Sequence, residues 1–130
     1  MSLNDPLANT LSKIQNAENL VKKEVKTFPS SKLIKNVLIL LKDNLFIGDT
    51  KEIEDDKGNY IIINLIGRIN KIKAIKPRFT VNSEEYEKYE KRYLPSKDFG
   101  IMIVSTSKGL MTHKQAIEKN LGGRLIAFCY

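Results

Sequence analysis

A chain of 130 residues, 42% of them hydrophobic, can bury one domain-sized core or two closely packed halves without a covalent staple. Its single cysteine, Cys129, and single histidine, His113, exclude an internal disulfide and a closed zinc site, because tetrahedral sites draw chiefly on those two residue types. The net charge of +7 is unevenly placed: residues 1–56 carry 8 basic and 9 acidic side chains, net −1, whereas residues 57–130 carry 14 and 6, net +8.

In chain order, Asp5-Pro6 offers a capping oxygen and a first-turn proline, and Leu7, Leu11 and Ile14 then recur at helical spacing with Ala8 beside them. "EVKTF" alternates up to Pro29 and predicts a short strand. "SSKLIKNVLILLKDN" starts on capping hydroxyls and stacks Leu33 or Ile34 with Val37, Leu38 and Leu41 on one helical stripe. "FIGDTKEIEDDKGNYIIINLI" predicts two strands joined at Asp56-Lys57-Gly58-Asn59, where glycine supplies a positive φ. Residues 1–66 therefore spell an αβαββ lobe.

The segment "RINKIKAIKPRFTV" places isoleucines at 66, 69, 72 and 75. That spacing of three fits neither regular period, but β-branched content and Pro77 point to a twisted or bulged strand. "NSEEYEKYEKRYLPSKD" predicts a short surface helix or ordered excursion ended by Pro95, and "FGIMIVSTS", apolar on both faces, a central strand. "TSKGLMTHKQAIEKNLGG" then predicts a loop and a helix, with Thr112 and Gln115 as a capping box and Gly122-Gly123 as its stop, before a last strand, "RLIAFCY". The expected class is α+β: two small lobes, 1–66 and 67–130, the second mainly sheet with one well-capped helix and an insertion at about 83–98.

No segment approaches the length needed to cross a bilayer, the longest apolar runs being VLILL and YIII. The amino terminus also has no signal-peptide pattern, so a soluble cytoplasmic protein is expected. Between Asp56 and Glu84 there is no acid at all, yet Lys57, Arg68, Lys71, Lys73, Lys76 and Arg78 all fall there. Such segregation is the footprint of a polyanion partner, although a lysine-rich solvated face is the plainer alternative.

The most informative stretch is Ser105-Thr106-Ser107-Lys108-Gly109, at the mouth of the apolar strand. Ser-x-x-Lys can activate a serine nucleophile, but its companions Ser-Asp-Asn and Lys-Thr-Gly are absent. His113 lies in the first turn of the predicted helix with no orienting partner in the pattern, and a surface position is expected for it. No catalytic set, cofactor motif or small-molecule substrate site emerges. Capping and turn formation explain part of the hydroxyl run. A rigid strand end bearing small donor-acceptor groups also suits close contact with RNA sugars, base edges and phosphates. Gly109, Gly122 and Gly123 would admit a close backbone, or simply mark a turn and a helix stop. Lys71, Lys73, Lys76 and Arg78 are the expected phosphate contacts.

Taken together, "NDPLANTLSKIQNA" at 4–17, "SSKL" at 30–33, "KIKAIKPR" at 71–78, "IVSTSKGLMTHKQA" at 103–116 and "LGGRLIAF" at 121–128 resemble the family of small-subunit ribosomal protein eight. The resemblance implies a two-lobed α+β protein that binds an irregular stem in the central domain of small-subunit rRNA early in assembly. It also implies contacts with other small-subunit ribosomal proteins and, in many members, repression of the protein's own mRNA. Carried over, Ser105, Thr106, Ser107 and Lys108 read the RNA, Gly122-Gly123 allow its approach, and Asn4 and Lys32 touch a second RNA surface. Two departures stand out. The bacterial Lys-Pro-Gly-x-Arg-Val-Tyr is here Lys76-Pro77-Arg78-Phe79-Thr80-Val81-Asn82, leaving Phe79 or Tyr86 as substitutes for the base-stacking tyrosine. The 83–98 insertion resembles the archaeal and eukaryotic branch. A free-standing RNA-binding regulator and, from another class, a small serine hydrolase using Ser105 or Ser107 with Lys108 or His113 are the rival readings.

Overall fold

Leu7, Leu11, Ile14 and Ala17 recur on one stripe because 3.6 residues make a turn, and all four are buried on helix α1 (Pro6–Asn19). The computed structural model describes residues 6–27, 32–56, 58–96 and 99–130, so the capping role read for Asp5 lies outside them. Strand β1 (Glu24–Thr27) follows, then α2 (Lys32–Asp43), whose buried stripe is Ile34, Val37, Leu38 and Leu41. Of the two residues the periodicity left open there, it is Ile34 that points inward. Strands β2 (Ile47–Asp55) and β3 (Gly58–Leu65) form an antiparallel hairpin whose last pair is Asp55↔Gly58, with Gly58 at φ 127°. β3 lies between β1 and β2, and its Ile61, Ile63 and Leu65 alternate inward, as a half-buried strand requires. Each fully buried Leu or Ile contributes about 1.5–3 kcal/mol, and the expected αβαββ order is the observed one.

The chain divides into two compact units, Met1–Ile72 and Lys73–Tyr130. Residues 67–72 thus join the first unit, past the boundary read near Ile66-Gly67, and the cause is local. Two side chains of α1 capture their backbone: Glu18 Oε2 accepts the Ile69 N–H at 3.0 Å and Gln15 Oε1 the Ile72 N–H at 2.8 Å. Side-chain acceptors replace a strand ladder there. The spacing of three buries Ile69, Ile72 and Ile75 without one continuous strand, leaving only the short β4 (Ile72–Ala74) and β5 (Thr80–Val81) where a longer bulged strand was expected.

The second unit is built on β6 (Ile101–Thr106), β7 (Gly109–Thr112) and β8 (Gly123–Cys129), in a sheet ordered β4-β8-β6-β7 with β5 also pairing β8. The predicted loop after Ser105 is therefore a tight β6–β7 hairpin, because Thr106 and Gly109 pair across a two-residue turn, Ser107-Lys108. Helix α4 (His113–Glu118) begins directly at its end with the expected capping box: Thr112 Oγ1 accepts the Gln115 N–H at 3.3 Å, and Gln115 Oε1 accepts the Thr112 N–H at 3.1 Å. Gly122-Gly123 does not stop this helix. Asn120, at φ 55°, closes it in a Schellman motif, with Leu121 N–H bonded to the Ala116 carbonyl and Asn120 N–H to that of Ile117.

Within the segment read as an insertion, residues 83–96 contain α3 (Tyr86–Tyr93) and contribute to the core of this unit. Tyr86 is 1% exposed and Leu94 5%, both packed with Met102, Val104, Leu125 and Phe128, while Tyr93 stacks on Phe128 with centroids 5.3 Å apart. The Tyr86 hydroxyl donates to the Leu121 carbonyl at 2.9 Å. Burial raises its pKa above the usual value of 10.0, so the folded state holds the phenol in its neutral form. The stability this provides is complete below the unfolded pKa and is lost as pH rises from about 10 through the folded value. Unfolding followed between pH 9 and 12 should show that decline in the parent and a weaker one in Tyr86→Phe; identical profiles would refute the assignment.

Candidate nucleic-acid interface

Strand register decides what surrounds the hydroxyl run. Ser105 pairs with Leu110 of β7 on one side and Arg124 of β8 on the other, and Arg124 pairs in turn with Thr80 of β5. Directly paired residues project from the same face of a sheet. Thr80, Arg124 and Ser105 thus form one exposed row of hydroxyl, guanidinium and hydroxyl, continued by the half-buried Leu110. Neither Arg124 nor Thr80 stood out in the sequence. No local pattern marked them, since "RLIAFC" is one arginine followed by five apolar residues; their neighbours depend on a pairing between segments more than forty positions apart.

At the hairpin tip the three hydroxyls separate in role. Ser105 and Ser107 are exposed, whereas Thr106 is half-buried and bonded within the turn, its Oγ1 donating to the Gly109 carbonyl at 2.8 Å and accepting the Lys108 N–H at 3.1 Å. Thr106 shapes the hairpin that presents Ser107 and the exposed Lys108. Gly109 sits at φ 108° with open space around the position of a Cβ, so the turn's backbone conformation is what calls for glycine.

Gly122 and Gly123 have a different cause. A Cβ on Gly122 would lie 2.7 Å from the Val81 carbonyl oxygen, and one on Gly123 would meet the Ser105 carbonyl oxygen and come within 2.8 Å of Val104 Cγ1. The backbone these glycines admit is the protein's own: three strands converge where β5 and β6 flank the start of β8.

Lys73, on β4, and Lys76 and Arg78, between β4 and β5, are exposed along the segment that borders β8 on the side opposite β6. Arg124 stands between that border and Ser105. Lys71 and Lys32, both exposed, belong to the other unit, Lys32 as the first residue of α2. Asn4 lies outside the described residues.

Neither proposed base serves the serines. His113, expected at the surface, is 0% exposed. Its Nδ1 accepts the Met102 N–H at 3.1 Å, so the ring proton resides on Nε2, which lies 3.1 Å from Glu90 Oε1 in a bent geometry. Lys108 is in a hairpin turn, not on the helix that the Ser-x-x-Lys device requires. Of the two base-stacking candidates, burial removes Tyr86. Half-buried Phe79 packs against Tyr89, with ring centroids 5.6 Å apart, and under the Arg92 guanidinium at 5.2 Å. Among the described residues no group of three or more His, Cys, Asp or Glu could hold a metal ion, and no helix is long and apolar enough to cross a membrane.

An acid-free row of hydroxyls around an arginine, bordered by lysines, has the chemistry that suits a polyanion. Comparison with protein families gives the class: the family model described as ribosomal protein S8 matches residues 5–130. The chain therefore belongs to the ribosomal protein S8 family, whose members are rRNA-binding components of the small ribosomal subunit and not enzymes.

Proposed function

We propose that the chain binds the central domain of small-subunit rRNA at an irregular stem during assembly, and that the exposed Thr80-Arg124-Ser105 row with the Ser107-Lys108 turn is its reading edge. The row carries the reading: it combines small groups that both give and accept hydrogen bonds with an arginine and no acid. Lys73, Lys76 and Arg78 neutralise phosphates beside it. Gly109, Gly122 and Gly123 act through the strands they allow to converge, and Thr106 through the turn. Lys71, Lys32 and Asn4 are assigned to a second RNA surface, next to other small-subunit ribosomal proteins. A stem of the same shape in the protein's own mRNA would compete for the reading edge and so repress its synthesis. The 83–98 insertion favours the archaeal-type branch.

Enzymatic footprinting of small-subunit rRNA tests the location, and titration of the protected stem tests the residues. Ser105→Ala is expected to weaken binding by about 1 kcal/mol without changing the salt dependence. Arg124→Ala should weaken it by about 1–3 kcal/mol and reduce the slope of log affinity against log salt by roughly 0.7–0.9 if its partner is a phosphate. Thr106→Ala should lower hairpin stability more than RNA affinity. Parent-like binding by both Ser105→Ala and Arg124→Ala would remove the reading edge from this row. A free-standing RNA-binding regulator would give a footprint elsewhere and leave small subunits in a high-salt wash.

A further inference from the structure

The stretch 84–93, which contains α3, carries more acid than any other of the second unit, yet three of its four acids are already engaged within the protein. Glu85 Oε1 accepts the Asn82 N–H at 3.0 Å, Glu87 lies 3.9 Å from Lys91 Nζ, and Glu90 faces His113 at 3.1 Å. Two cations of the same helix are treated differently. Lys88 and Arg92 are exposed, one turn apart on the same side, and neither has an acidic partner among the described residues. Like charges at that spacing repel. Each is held over aromatic rings instead: Lys88 Nζ lies 5.6 Å from the Tyr89 centroid, and the Arg92 guanidinium 5.2 Å from that of Phe79 and 5.6 Å from that of Tyr93.

The support beneath them is rigid. Tyr86 and Leu94 anchor the two ends of the helix in the core, and Tyr93 is stacked on Phe128. Two cations that repel, have no acidic partner among the described residues and sit on a packed platform are arranged for an anion supplied from outside. We infer that Lys88 and Arg92 form a phosphate clamp by which α3 binds a second RNA segment, distinct from the stem read at the β6 edge. The partner is RNA because two adjacent cations one helical turn apart match successive backbone phosphates, and because the family binds rRNA. The inference rests on rRNA binding, not on which residues of the β6 edge do the reading.

The test compares the parent with the Lys88→Gln/Arg92→Gln double variant on two probes: the organism's own full-length small-subunit rRNA, and the shortest stem that still binds the parent. On full-length rRNA the double variant should lose roughly 1.4–1.8 from its salt slope, which makes the parent's advantage shrink roughly tenfold between 50 and 200 mM salt. On the minimal stem the two proteins should bind alike. Lys91→Gln, which removes a cation already facing Glu87, should behave as the parent, and Arg92→Lys should keep most of the slope. A photo-crosslinker on Lys88→Cys, in a chain whose own Cys129 is buried, should mark rRNA outside the stem. Equal losses on both probes, no loss on either, an equal effect of Lys91→Gln, or a crosslink to a ribosomal protein would each overturn the clamp.

Discussion

Gly123→Ala is expected to destabilise the second unit by about 3 kcal/mol and to lower affinity for RNA even at temperatures where the variant remains folded. The new methyl would meet the Ser105 carbonyl oxygen and lie 2.8 Å from Val104 Cγ1. Val104 is fully buried, and the carbonyl is part of the sheet backbone, so neither can swing aside as a surface side chain would. Overpacking of this kind costs about 1–3 kcal/mol when side chains can adjust and more when backbone must move. The movement falls on the Ser105–Arg124 pair, which holds the exposed row together. Denaturant unfolding measures the first effect, and RNA titration at low temperature the second. An unchanged unfolding midpoint would mean that the strands do not converge as closely as described.

His113→Ala should be comparably severe, at about 3 kcal/mol. The ring is fully buried, and its removal leaves a cavity as well as taking away the acceptor of the Met102 N–H inside the core. It also removes the group facing Glu90, and with it one attachment of α3 to α4. His113→Asn, which can return an oxygen to the position of Nδ1, should recover part of the loss, and hydrogen exchange at Met102 should follow the same order. If the alanine variant unfolds at the parent's denaturant concentration, the buried histidine is not an anchor. The same variant separates structure from catalysis: a hydrolase base would lose activity without losing stability.

The contrast between these two residues reflects a general limit. As a motif, His113 was an isolated histidine in a helical first turn, because its partners Met102 and Glu90 come from a strand and an inserted helix that no local pattern links to it. The segment of α3 read as a short surface helix or ordered excursion for the same reason. Tyrosines 86 and 93 at helical spacing were visible, but whether they meet a core or an RNA base depends on what packs beneath them. Gly122-Gly123 resembled a helix stop, and Asn120 had already taken that role.

Periodicity, capping and charge, which act over one or two turns of chain, sufficed for the class of the fold, the αβαββ order, the buried stripes of α1 and α2, the capping box at Thr112 and the cationic second half. Those quantities are local, so they are legible without coordinates. The hairpin at Ser107-Lys108, the pairing that sets Arg124 between Thr80 and Ser105, the internal use of Thr106 and the burial of His113 were decided only by the tertiary structure. Each depends on strand register, and register is chosen by burial across the whole sheet, where a slip of one residue would exchange every inward side chain for an outward one.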